Sequence, residues 1–146
     1  MKYFVTVMAL CSCLFVLACN KARPDGGIVF ATMKGDVHFD LNSAQLSAEG
    51  LADLEKILAK RKNTDIPEGY IIQVEGHTDD TGTHAFNMTL SKQRADAVAK
   101  VLVDKGYDKA RIVTKGLGPD EPLYPNDSDL NRAGNNRVEL VLRPVQ

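Results

Sequence analysis

Cysteine is missing from the chain beyond position 19; its three cysteines are Cys11, Cys13 and Cys19. If the chain is cut before Cys19, the fold that remains holds no disulfide and must stand on its core alone. No charge of one sign dominates either, since the formal net charge is -1, and this leaves no electrostatic reason to expect a nucleic-acid partner. There is no internal repeat and no low-complexity tract. No apolar run reaches the ~20 residues that a membrane-crossing helix needs. What is present is the composition of a soluble globular protein, 44% hydrophobic and 25% charged, in 146 residues that suit one compact domain.

The longest apolar stretch runs from Tyr3 to Ala18 behind Lys2 and is broken only by Thr6 and Ser12. Its length and position are those of a secretory leader, residues 1–18. It ends on Val16-Leu17-Ala18-Cys19, which resembles a lipoprotein processing box and is favoured over the alternative Leu10-Cys11-Ser12-Cys13. Cleavage there leaves Cys19 as a lipid-bearing N-terminus, and several acyl chains at ~0.8 kcal/mol per buried CH₂ anchor it stably. Asn20 in place of Asp, by resemblance to enterobacterial sorting rules, directs the product to the outer membrane. Residues 19–27 then read as the lipidated cysteine and a short tether; from Asn20 to Gly27 it reaches at most about 29 Å. Residues 28–146 form the domain.

β-type runs at Ile28–Ala31 and Val37–Phe39 open that domain, as two strands or one bent one. Ser47 caps a helix predicted to extend to about Lys62, with Leu51, Leu54, Ile57 and Leu58 as its apolar stripe. Alternation predicts a strand from Tyr70 to Glu75, followed by a polar turn from Gly76 to Gly82. Thr83 caps a second helix to about Lys105, stopped by Gly106. Strands follow at Arg111–Lys115 and Arg137–Arg143. About twenty residues rich in Gly, Pro, Asn and Asp separate them, a length that implies a function or a short helix of their own. The order strand, helix, strand, helix, strand, strand predicts a two-layer α/β sandwich, with both helices on one face of a mixed sheet and the other face partly exposed.

One residue breaks the pattern. On the second helix Leu90, Ala97, Val98 and Val101 form an apolar stripe, and the position that should complete it is Arg94. A guanidinium aimed at the interior edge needs an anion, or desolvation costs several kcal/mol. Asp79, in the preceding turn, is the nearest candidate, and Asn87 shares the helical face of Arg94. Two readings follow. Asp79 and Arg94 pair with each other and pin turn to helix, or a zwitterionic ligand splits them, its ammonium on Asp79 and its carboxylate on the fork of Arg94. Backbone N–H groups at the start of the helix would add donors.

Other constellations carry less. His77, Asp79 and His84 can be drawn as a metal site, yet no His-Glu-x-x-His or Cys-x-x-Cys spacing supports it. Gly116-Leu117-Gly118 lacks the remaining glycine of a dinucleotide loop. His38, beside Phe39, reads as a strand residue. No cofactor is implied.

Taken together, Phe39-Asp40-Leu41-Asn42, Gly76-His77-Thr78-Asp79, Gly82, Asn87, Leu90-Ser91, Arg94-Ala95, Val98, Leu102, Gly106, Gly116, Gly118, Pro122, Asn126 and Asn135 with Arg137-Val138-Glu139 resemble the OmpA-like C-terminal domain. That domain is shared by OmpA, the Pal lipoproteins and flagellar motor proteins, and the likeness runs from about residue 36 to 143. It implies non-covalent binding of peptidoglycan by a protein that is not an enzyme. In the family the Asp of the Gly-His-Thr-Asp turn and the Arg of the Leu-Ser-x-x-Arg-Ala helix hold the diaminopimelate of the stem peptide. Here they match Asp79 and Arg94. Asn42 and Asn87 match further polar positions of that pocket, and Arg137 matches the second arginine of a closing Asn-Arg-Arg-Val. Asn136 departs from the pattern, standing where the first of those arginines usually is. The expected role is an outer-membrane lipoprotein that tethers membrane to wall. The competing role is a metal-dependent wall hydrolase using His77, Asp79 and His84. Whether a Tol-type or signalling protein shares the surface is open at this stage.

Overall fold

A computed structural model describes residues 21–40 and 42–145. The leader and Cys19 lie outside the described residues. Five strands form one sheet in the order β1-β2-β5-β3-β4, with β1 Lys21–Ala22, β2 Ile28–Lys34, β3 Tyr70–His77, β4 Ile112–Gly118 and β5 Arg137–Pro144. Only β3 and β4 run parallel; β2 and β3 each pair antiparallel with β5. The connection between the parallel pair is the helix α3, His84–Asp104. A shorter helix, α2 (Ala48–Ala59), precedes β3. A single helical turn, α1 (Gly35–His38), follows β2, and α4 (Asp129–Asn135) precedes β5.

Strand alternation sends Ile72 and Val74 of β3 and Val138, Leu140 and Leu142 of β5 to one face, where they bury against Leu54 and Leu58 of α2 and Ala95, Val98 and Leu102 of α3. The two-layer sandwich read from the sequence is therefore the observed fold. Both helix caps are also as expected: the Ser47 hydroxyl accepts from Gly50 N–H and the Thr83 hydroxyl from Phe86 N–H. Gly106, at φ 90°, ends α3. No helix among the described residues is long and apolar enough to cross a membrane.

Four details differ from the sequence reading. Val37–Phe39 is not a strand, because Lys34 N–H donates to His38 Nδ1 at 2.7 Å and closes residues 35–38 into a helical turn that drops Phe39 into the core. His38 is thus a turn residue. α2 stops at Ala59, just after Leu58, the last residue of its stripe that burial rewards. Residues 21–27 do not hang free: Lys21 and Ala22 pair with β2, and Arg23 binds Glu75 and Glu139 on the far face of the sheet. That face is consequently closed, with Gln73, Glu75, His77, Arg137 and Glu139 all buried.

α3 lies unusually close to the sheet. A Cβ on Gly76 would sit 1.9 Å from the carbonyl oxygen of Ser91, and one on Gly116 would sit 2.6 Å from the backbone nitrogen of Lys92. Only glycine permits that approach. It brings the helix face that carries Asn87, Leu90 and Arg94 level with the ends of β3 and β5.

Candidate functional site

Where these ends meet, a cleft of about 340 Å³ opens. The turn after β3 contributes Asp79 and Thr81, α3 contributes Phe86, Asn87, Leu90 and Arg94, and the segment after β2 contributes Gly35, Phe39 and Asn42. Asn136 closes the ring from the junction of α4 and β5. Four of the five expected site residues, Asp79, Arg94, Asn42 and Asn87, line this one cleft.

Asp79 and Arg94 do not pair with each other. The Asp79 carboxylate accepts from Thr81 N–H at 2.8 Å and from the Asn136 side-chain amide at 2.7 Å. Arg94, only 6% exposed, donates from Nε to the Ser43 carbonyl at 2.9 Å and lies 5.2 Å over the Phe39 ring. Its Nη1 is buried without a hydrogen-bond partner. Desolvation by burial pulls the Arg94 pKa below its ordinary value, and the charge of Asp79 opposes that shift. An internal salt bridge, the first reading of this pair, is therefore not what the fold contains. Each charge is held in place by neutral groups, and the two act on each other through space without a direct ion pair.

Asn87 lines the cleft and also braces it. Its amide donates to the carbonyls of Thr81 at 2.9 Å and Asp79 at 3.3 Å, so it fixes the turn that carries the carboxylate. The cap at Thr83 already occupies the Phe86 N–H, which removes one of the helix-start donors. Asn42 sits at φ 51°, a left-handed conformation that asparagine tolerates better than most residues.

Arg137 is not part of the cleft. It alternates with Val138 on β5 and so faces the other side of the sheet, where its Nε donates to Glu139 at 2.8 Å and its remaining donors reach the carbonyls of Asn135 and Glu121. Glu75, directly across the sheet from Glu139, binds Gln73, Arg23 and Arg143 in the same network. The metal triad does not assemble either. His77 is fully buried on that far face, His84 is exposed and bound to Asp120 at 2.8 Å, and Asp79 is in the cleft. Glu75, His77 and Glu139 do bring ligand atoms within 4.8 Å of one another. Both carboxylates are already engaged by arginines, however, which fill the place a cation would take.

Sequence reasoning missed Gly35, Phe39, Thr81, Phe86 and Leu90 as lining residues. Phe86 carried a usable signal, an aromatic residue one position before Asn87 in the first turn of the helix capped by Thr83. Asn135 is buried nearby and holds the preceding loop: its side-chain Oδ1 accepts from the Leu123 and Tyr124 N–H groups, and its Nδ2 donates to the Tyr124 carbonyl and the Asn126 side chain.

The cleft of this two-layer domain thus brings Asp79 and Arg94 together without a direct ion pair between them. The chain belongs to the OmpA family, whose family model matches residues 38–137. Among curated proteins it is 40% identical over 120 residues to the protein named "Probable lipoprotein YiaD" of Escherichia coli K12, an alignment covering 82% of this chain and 53% of that one. It spans about half the length of that relative. Among solved structures, the periplasmic domain of Helicobacter pylori MotB superposes with a TM-score of 0.69 at 28% identity, covering 81% of this chain and 83% of that one. The peptidoglycan-associated lipoprotein of Burkholderia pseudomallei gives a TM-score of 0.62 at 28% identity, covering 73% and 88% respectively.

Proposed function

We propose that this domain binds peptidoglycan non-covalently, through the free end of a diaminopimelate residue in the stem peptide, and that lipid on Cys19 holds the protein at the outer membrane. The observation that carries this reading is Arg94, a buried guanidinium with an unpartnered Nη1 beside a cleft whose one carboxylate is also unpaired. The free end of diaminopimelate presents an ammonium and a carboxylate on one carbon. Its carboxylate meets the planar fork of Arg94, and its ammonium meets Asp79. Asn87 and Asn136 keep Asp79 in position while Phe39 backs the guanidinium. Family membership and the likeness to a peptidoglycan-associated lipoprotein support the choice of ligand. The protein binds the wall without cutting it.

Pull-down with purified sacculi tests the reading. Asp79→Asn and Arg94→Gln each remove one charge-assisted contact, worth ~1.5–3 kcal/mol, or about ten- to a hundredfold in affinity. Walls with lysine in place of diaminopimelate keep the amine but lack the carboxylate, so they should bind more weakly. Equal binding to both walls would take Arg94 out of this role. Muropeptide release from the sacculi, abolished by a chelator, would restore the hydrolase.

A further inference from the structure

Asn136 closes the rim of the cleft beside Asp79. Its backbone is clamped, with the carbonyl accepting from Gly35 N–H at 2.7 Å and the N–H donating to the Arg132 carbonyl at 3.1 Å. Its side chain grips Asp79 twice, Nδ2 donating to Asp79 Oδ2 at 2.7 Å and Oδ1 accepting from Asp79 N–H at 3.3 Å. Those two partners fix the amide's orientation, since a carboxylate can only accept and an N–H can only donate. A neutral donor of this kind orients a carboxylate without cancelling its charge. A guanidinium in its place would form a charge-assisted pair and cancel most of it. The next cation, Arg132, is turned to Asp129 at 2.6 Å and to the Asn126 carbonyl at 2.9 Å, so its charge reaches Asp79 through space and not by a direct contact.

We propose that Asn136 is the positioning residue of the cleft and sets its selectivity: it holds the Asp79 carboxylate ready with its charge intact, so the site accepts a ligand bearing a free amine beside its carboxylate and rejects the N-acylated form. The inference rests on the wall-binding reading and adds a discrimination between stem peptides whose diaminopimelate amine is free and those in which it has become an amide.

Titration calorimetry on the full-length chain in detergent tests it. The probes are the tripeptide L-Ala–γ-D-Glu–meso-diaminopimelate and the same peptide acetylated on its diaminopimelate amine. The wild-type protein should prefer the free amine by about tenfold or more, the loss expected when one charge-assisted contact is removed. Asn136→Arg should bring the two affinities within about threefold of each other, because its guanidinium occupies Asp79. Asn136→Ala should keep the preference but weaken binding of the free-amine peptide by about tenfold, because the carboxylate is no longer held. The preference is a ratio measured within each variant, so a partly unfolded sample cannot mimic its change. If Asn136→Arg keeps the wild-type ratio, or Asn136→Ala keeps the wild-type affinity, Asn136 has no such role and the inference is overturned while the wall-binding reading stands. If the wild-type protein binds neither peptide, both are overturned.

Discussion

Replacing Arg94 with methionine distinguishes a binding residue from a structural one, because the two roles predict opposite effects on stability. Breaking a buried ion pair costs ~3–5 kcal/mol, as the surviving charge is stranded. Arg94 has no such pair. Its favourable interactions are the hydrogen bond to the Ser43 carbonyl at 2.9 Å, ~1.5–3 kcal/mol for a charged donor, and the contact over Phe39 at 5.2 Å, about 1 kcal/mol. Against them stands the desolvation of a guanidinium that is 6% exposed and has one nitrogen without a partner, several kcal/mol. The sum is close to zero or unfavourable to the folded state. Methionine keeps an unbranched stem in the same space and drops the charge. Arg94→Met should therefore unfold at the wild-type temperature or a few degrees above it, roughly 4 °C for each 1 kcal/mol in a chain of this size. Sacculus binding should fall by about ten- to a hundredfold in the same samples. Adding the diaminopimelate tripeptide at a hundredfold excess over its Kd should stabilise the wild-type protein by ~2.7 kcal/mol and the variant by about 1.4 kcal/mol or less. An Arg94→Met protein that melts well below wild type yet still binds sacculi would refute the reasoning.

Further outcomes can be measured on the same preparation. Burial works to raise the Glu75 pKa, but His77, Arg143 and Arg23 overcome it and hold the carboxyl well below the usual carboxylate range. Its folded pKa lies beneath its unfolded one, so its contribution is complete above about pH 4.3 and is lost as the pH falls below that. Glu75→Gln should cost about 3 kcal/mol at neutral pH, the lower end for a buried pair because Arg23 and Arg143 are partly exposed, and urea titrations should show a shallower loss of stability in acid than wild type. Gly76→Ala should destabilise by ~3 kcal/mol in the same assay and weaken wall binding, since its Cβ would push Ser91, three residues before Arg94, off the sheet. Cys19→Ser should accumulate as an unlipidated precursor, and lipid found on that variant by mass spectrometry would move the anchor elsewhere.

The readable parts of this fold were those in which a local rule was either obeyed or conspicuously broken. Ser47, Thr83 and Gly106 follow the chemistry of helix ends, and each ends a helix as expected. Arg94 breaks the apolar stripe of its own helix, and a broken local rule without an evident structural gain is the mark of a functional position. The parts that could not be read depend on partners far away in sequence. Nothing near Arg23 indicates that it closes the outer face of the sheet against Glu75, 52 residues away, nor does the turn at 35–38 announce itself among β-favouring neighbours. Arg137 matches the motif yet lies outside the cleft. Alternation along β5 already put Val138, Leu140 and Leu142 on one face, and Arg137 had to share the other with Glu139, where each of its three nitrogens donates a hydrogen bond. Asn136 escapes that constraint because it precedes the strand, at the end of α4, where the backbone turns and the side chain can reach the cleft. The same two adjacent positions therefore serve opposite faces of the sheet, Arg137 holding the outer face shut and Asn136 holding Asp79 open to a ligand. A single-residue shift in strand register would exchange their surroundings, so the eight-residue pairing of β3 with β5 is as much a determinant of the cleft's charge as the residues that line it.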